Sequence, residues 1–151
     1  MKTLIILLIF TSALCGCALT YVRPTMVAPT ISADVSISKA NLLRATEQVL
    51  ATDGYQITNS DDSAGVISTA QTNLHITPEQ ADCGTTMGLN YLKDNRTDTS
   101  VAFSVIVSEG KITVKATIEG DYKPQDTPLT CVSKGVLERK MLAQIIAKAS
   151  V

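Results

Sequence analysis

The clearest pattern in the chain lies between Val101 and Glu119. Val101, Phe103, Val105 and Val107 alternate with Ala102, Ser104, Ile106 and Ser108. Beyond Glu109-Gly110, Ile112, Val114, Ala116 and Ile118 alternate with Thr113, Lys115, Thr117 and Glu119. A period of two on both sides of a two-residue turn predicts an antiparallel hairpin with one buried and one solvated face. The solvated face, carrying Ser104, Ser108, Thr113, Lys115, Thr117 and Glu119, reads as open or weakly interactive rather than as an obligate interface.

Helical spacing governs two other stretches. Leu42, Leu43, Thr46, Val49 and Leu50 recur at the helical period after Ser38, a suitable N-cap, and Gly54 supplies a common helix stop. Near the other end, Leu137, Met141, Leu142, Ile145, Ile146 and Ala149 form an apolar stripe over about 133–149, with Ser133 as the expected cap and Lys148 at the negative end of the dipole. Glu138 falls inside that apolar arc. It reads first as a first-turn carboxylate near exposed N–H groups, and second as an acidic contact for a partner. Between the first helix and the hairpin, Tyr55–Ile57 and about 65–72 read as short strands around the polar turn 59–63, while 73–99 shows no sustained period. The order predicts an α+β fold: a two-layer sandwich with an antiparallel sheet of about four strands and two helices on one face, in the manner of a helix-grip domain. Residues 38–151 would form this single domain. Pro24 and Pro29 interrupt residues 17–37, which read as an extended tether reaching on the order of 60 Å, although Ile31 to Ile37 alternates and would also suit an edge strand.

The N-terminus has a different character. Met1-Lys2-Thr3 precedes an unbroken apolar run from Leu4 to Phe10, and the small or polar residues Thr11, Ser12 and Ala13 follow. These are the parts of a secretory signal, and the run is too short to span a bilayer, which takes about 20 residues. The next four residues are Leu14-Cys15-Gly16-Cys17. This stretch resembles the lipobox of bacterial lipoproteins, departing from it only at Cys15, where Ala, Ser or Thr is more usual. The resemblance implies cleavage after Gly16, so that 1–16 is a signal peptide, and transfer of diacylglycerol to the Cys17 sulfur, with acylation of the new amine (palmitate is the typical chain). A thiol suits this chemistry because it is readily alkylated, and two or three acyl chains make a lasting anchor. Ala18 stands where an inner-membrane retention signal would carry Asp, which implies the outer membrane with the domain facing the periplasm.

Charge and cysteine count refine the picture. Formal net charge is −1 and falls near −2 once 1–16 are removed; aromatic content is 4% with no Trp. Neither a basic field nor stacking platforms are present, so nucleic acid is not an expected partner. With Cys15 discarded and Cys17 lipidated, Cys83 and Cys131 remain as an even pair in an oxidising compartment, and a disulfide is expected. It would close a loop of about 49 residues, with a chain-entropy contribution of at most about 4 kcal/mol.

Candidate chemistry is sparse. Cys15-Gly16-Cys17 lacks further metal ligands, and Asp94 and Asp98 flank a polar loop without the Gly and closing Glu of a calcium loop. His75 is the only histidine, and Asp61-Asp62 suits an ordinary turn. Asn95-Arg96-Thr97 matches a glycosylation triplet that a host reading a lipobox would not use. No phosphate loop or nucleophile elbow occurs. No catalytic residue, cofactor or metal is therefore expected. A redox or hydrolytic role would need Cys131 or His75 in a polar cleft with a partner group.

Two further stretches, Leu50-Ala51-Thr52-Asp53-Gly54-Tyr55-Gln56-Ile57 and Ala64-Gly65-Val66-Ile67-Ser68-Thr69, resemble the helix-grip domains of the BamC family, accessory lipoproteins of the outer-membrane β-barrel assembly machinery. The likeness covers about a third of the chain and carries over no functional residue. It implies a lipid-anchored, non-catalytic binding or scaffolding domain, with the membrane and other envelope proteins as partners. The alternatives are a carrier of a small apolar ligand or lipid between helices and sheet, the thiol-redox or hydrolytic enzyme, and a phage- or plasmid-borne lipoprotein acting on envelope access.

Overall fold

The structure, a computed structural model, describes residues 20–150. The signal segment, Cys15 and Cys17 lie outside the described residues. In chain order the strands are β1 (Tyr21–Val22), β2 (Ile31–Asp34), β3 (Ile57–Asp61), β4 (Val66–Thr69), β5 (Thr72–Asn73), β6 (Ala81–Asp82), β7 (Thr85–Thr86), β8 (Leu89–Asn90), β9 (Thr97–Ser108), β10 (Lys111–Tyr122), β11 (Thr127–Thr130) and β12 (Val132–Ser133). Two α-helices, α1 (Lys39–Thr52) and α2 (Val136–Ala149), complete an α+β fold whose strand pairings are antiparallel.

The β9–β10 hairpin is the frame. Its strands run 12 residues each, so the ladder is about 40 Å long. That length leaves room for two short strands in tandem along either outer edge. β2 and β11 both pair with β10; β4 and β5 both pair with β9, and β3 lies outside β4. The main sheet thus has seven strands where the sequence pattern suggested about four. The polar residues Asn59, Ser60 and Asp61, expected to turn, continue β3, and the turn falls at 62–65.

Tandem strands leave a gap on each edge. Phe103 and Ala116 are partners in the hairpin register, and both N–H groups point away from the hairpin. On one side β4 and β5 leave Phe103 uncovered, and its N–H donates to the Thr69 hydroxyl at 2.9 Å. On the other side β2 and β11 leave Ala116 uncovered, and its N–H donates to Glu138 Oε1 at 3.3 Å. Ser133 donates its hydroxyl to Glu138 Oε2 at 2.7 Å and accepts from the Gly135 N–H at 3.0 Å. The buried Glu138 carboxylate is therefore spent within its own chain and offers nothing to a partner. Ser133 serves Glu138 rather than capping the helix, and α2 begins after Gly135, which holds φ at 78°.

The inward face of the hairpin (Val101, Phe103, Val105, Val107, Ile112, Val114 and Ile118) is almost completely shielded from solvent. Leu42, Val49 and Leu50 of α1 and Leu137, Met141 and Ile145 of α2 join the same core. Helix α1 packs on β9, β3 and β4, α2 packs on β10 and β2, and the helices touch each other. Residues 20–37 correct the expectation of a free tether. β2 adds to β10, and Ile31, Ala33, Val35 and Ile37 pack on the core. The alternation of these residues, not the prolines, decides their fate. Replacing Glu138 by Ala should orphan the Ala116 N–H and the Ser133 hydroxyl and cost about 1–3 kcal/mol, while Glu138→Gln keeps most of the stability. Urea midpoints of the two variants against the parent measure this.

Candidate functional site

Between β5 and β9, segment 73–99 holds only the two-residue strands β6, β7 and β8 and one 3-10 turn, and links to the rest of the chain shape it. Ile76 is fully buried, and its N–H donates to the Thr99 hydroxyl at 3.0 Å. β6 pairs with β12, and Cys83 is bonded to Cys131. Gly120 makes room for that bridge: a Cβ there would stand 3.1 Å from Cys131 Sγ and 3.2 Å from Leu129 Cβ. Neither of the two later cysteines is a free thiol in this state.

Next to the bridge stands a second, small sheet of β1, β7 and β8. Gly84, with φ at 84°, lets β1 approach: a Cβ would fall 2.3 Å from the Val22 carbonyl oxygen and 2.7 Å from Tyr21 Cε2. The Tyr21 hydroxyl donates to the Thr130 carbonyl (3.2 Å) and accepts from the Thr130 N–H (3.0 Å), so it grips the free edge of β11. Its ring meets Tyr91 edge-on at 5.7 Å, and Tyr91 meets Tyr122 at 5.0 Å. Each such pair adds about 0.5–1.5 kcal/mol beyond the area it buries.

Arg96 closes this aromatic ladder. Its guanidinium stands 5.4 Å from the Tyr122 ring centroid, donates to the Tyr122 hydroxyl at 2.8 Å, and forms two bonds to Asp94 at 2.9 and 2.6 Å. Hydrogen bonds from the Arg96 side chain and backbone hold the Asp94 carboxyl far below the usual carboxylate range. Because the folded value is lowered, the pair's contribution is present above the ordinary carboxylate range and is lost only in strong acid. Burial, the largest cause, raises the Tyr122 hydroxyl above its ordinary value. Asp94 is therefore a structural anchor of its loop.

On the sheet face turned away from the helices lies a polar groove. Asp98 and Asp121 are direct cross-strand partners, a repulsive arrangement relieved by Lys123, whose ammonium reaches Asp121 at 2.5 Å and Asp98 at 3.3 Å. Clefts of about 300 and 410 Å³ adjoin here. His75 and Asn95 help line the first, Glu119, Asp121 and Lys123 the second, and Asn73, Asp98 and Thr99 both. His75 is exposed. Among the described residues no three His, Cys, Asp or Glu side chains gather as metal ligands. Towards the other end the same face carries Ser68, Ser104, Thr113, Lys115 and Thr117 around the exposed Ile106, which pairs with Val66, so it is open and mostly but not wholly polar.

Sequence patterns placed Cys83 and Cys131 together. They did not reveal Tyr21 or the Asp94–Arg96–Tyr122 cluster. Asp94 and Arg96 sit two apart in a polar loop, and the residue completing them lies on another strand. Cys17, the expected lipidation site, lies outside the described residues.

The bridge carries a direct consequence. Double substitution of Cys83 and Cys131 by Ser should lower the unfolding free energy by up to about 4 kcal/mol, read as a fall in urea midpoint under non-reducing conditions. No protein-family model matches the chain, and no curated protein does. In fold, the chain is similar to a TBP-like protein from Parabacteroides distasonis, 13% identical with a TM-score of 0.48, over 81% of this chain and 91% of that one. It is also similar to a DUF4468 family protein from Bacteroides ovatus, 12% identical with a TM-score of 0.46, over 82% of this chain and 85% of that one.

Proposed function

We propose that this protein is a lipid-anchored, non-catalytic binding or scaffolding domain of a bacterial envelope. It is held through Cys17 in the outer membrane, faces the periplasm and serves other envelope proteins, with outer-membrane assembly as the process its sequence resemblance suggests. Its two helices form one layer and its sheet the other, a helix-grip-like scaffold with one sheet face left open. That open face is the observation that carries the reading. Its mostly polar side chains, with Ile106 exposed among them, suit a reversible, wet contact rather than an obligate apolar one. Among the described residues no helix is long and apolar enough to cross a membrane.

The alternatives find less support in the geometry. A carrier of an apolar ligand needs space between helices and sheet, yet Ile67, Val101, Val105, Ile112, Leu42, Leu50 and Ile145 are fully buried there and fill it. A thiol enzyme needs a free sulfur, and Cys83 and Cys131 are joined. A photo-crosslinking residue in place of the exposed Lys115 tests the proposal in intact cells. It should yield a discrete set of adducts with envelope proteins, and the set should disappear when Cys17→Ser removes the anchor. Absence of adducts from membrane-located protein would contradict the scaffold reading.

A further inference from the structure

The β7–β8 turn is built from Met87 and Gly88, both left-handed, with φ at 49° and 79°. A two-residue hairpin turn of this kind favours Asn-Gly or Asp-Gly, so methionine is a costly occupant. It is also 78% exposed, and the following Leu89 is 72% exposed. Here an apolar pair crowns a small polar sheet and covers nothing of its own chain. Lys93 lines the same surface cleft as Leu89, and Asp94 in that cleft is already neutralised by Arg96.

Strand register gives this tip a direction. β1 pairs with β7 antiparallel, Tyr21 opposite Thr86 and Val22 opposite Thr85. Traced backwards from Tyr21, the chain therefore runs towards the Met87–Gly88 turn, on the same end of the small sheet. Only Ala18, Leu19 and Thr20 separate Cys17 from Tyr21, a span of at most about 14 Å. With Tyr21 gripped by β11, a lipid on Cys17 holds this end of the domain close to the bilayer, not at the distance a free tether would permit.

We propose that the β7–β8 tip is a second membrane contact, seating Met87 and Leu89 at the boundary of headgroups and acyl chains in the bilayer that holds the Cys17 lipid. This rests on the reading of Cys17 as lipidated. Lys93 stands where an ammonium meets lipid phosphate while its stem stays beside Leu89. One acyl anchor alone leaves a domain free to swivel; an apolar tip beside it fixes orientation. The long hairpin then carries its Glu109-Gly110 turn away from the surface, and the open sheet face stands free along its flank.

The chain has no Trp, so a single introduced indole reports its own surroundings. Full-length protein carrying Leu89→Trp, and a second carrying Lys111→Trp at the far end of the hairpin, would be purified with their native modification. Each would be reconstituted into phosphatidylethanolamine–phosphatidylglycerol vesicles containing a lipid brominated on its acyl chains. The indole at position 89 should lose about half its fluorescence or more, as for a side chain at the acyl boundary, while that at position 111 stays unquenched. Equal, weak quenching at both positions in protein whose mass shows a lipid on Cys17 would overturn the second contact alone, and a tip covered by another copy of the chain would give that result. A mass showing unmodified Cys17 would overturn the anchor and this proposal with it.

Discussion

The structure turns on how two neighbouring pairs of residues meet. Cys83 is bonded to Cys131, and beside them Gly84 backs onto the strand whose Tyr21 grips Thr130. One link is covalent and the other combines a reciprocal hydrogen bond with an aromatic contact. Together they fasten a small three-stranded sheet to the edge of the large one. Two-residue strands cannot hold themselves in register, because so short a ladder does not offset the backbone entropy it fixes. The bridge shortens the loop to be closed, and Tyr21 then finds its partner at hand. β1 inherits its position from this junction.

A second constraint comes from the long hairpin. A ladder of this length exposes more edge than one short strand can satisfy, and a buried N–H without an acceptor is costly. The chain meets this with tandem strands and side-chain oxygens at the two junctions, Thr69 facing Phe103 and Glu138 facing Ala116. Because Glu138 belongs to α2, the same contact sets the helix over the gap in the sheet edge. The helices close the core side of the sheet with their apolar residues, while the outward positions of the hairpin stay accessible.

Legibility in the sequence followed the reach of each pattern. The hairpin centre and α1 were plain because their apolar residues keep one period over many positions. The hairpin ends were not, since Thr97 and Thr99 occupy inward positions and satisfy their hydroxyls on the Tyr91 and Leu74 carbonyls. A threonine facing inward looks like a strand end when only hydrophobicity is followed. The residues of 20–37 read as a spacer because their prolines are conspicuous, whereas four alternating residues decided the pairing of β2. Segment 73–99 carried no period at all; its conformation is imposed from outside by β12 and Cys131, and from its own end by the Thr99 hydroxyl. Of the candidate sites, the cysteine pair was legible by counting, and Glu138 stood out as a charge in an apolar arc. The Tyr21–Tyr91–Tyr122 ladder was invisible because its members come from three separate parts of the chain.

The central claim is that the segment just after the expected anchor belongs to the folded domain. Amide hydrogen exchange on the oxidised, full-length protein reads this most directly. The Val22, Thr86 and Thr130 amides should exchange far more slowly than in an unstructured peptide, and reduction should release Val22 and Thr86 while the β9–β10 amides remain protected. Exchange at Val22 as fast as in a free peptide, with the bridge intact, would contradict the account.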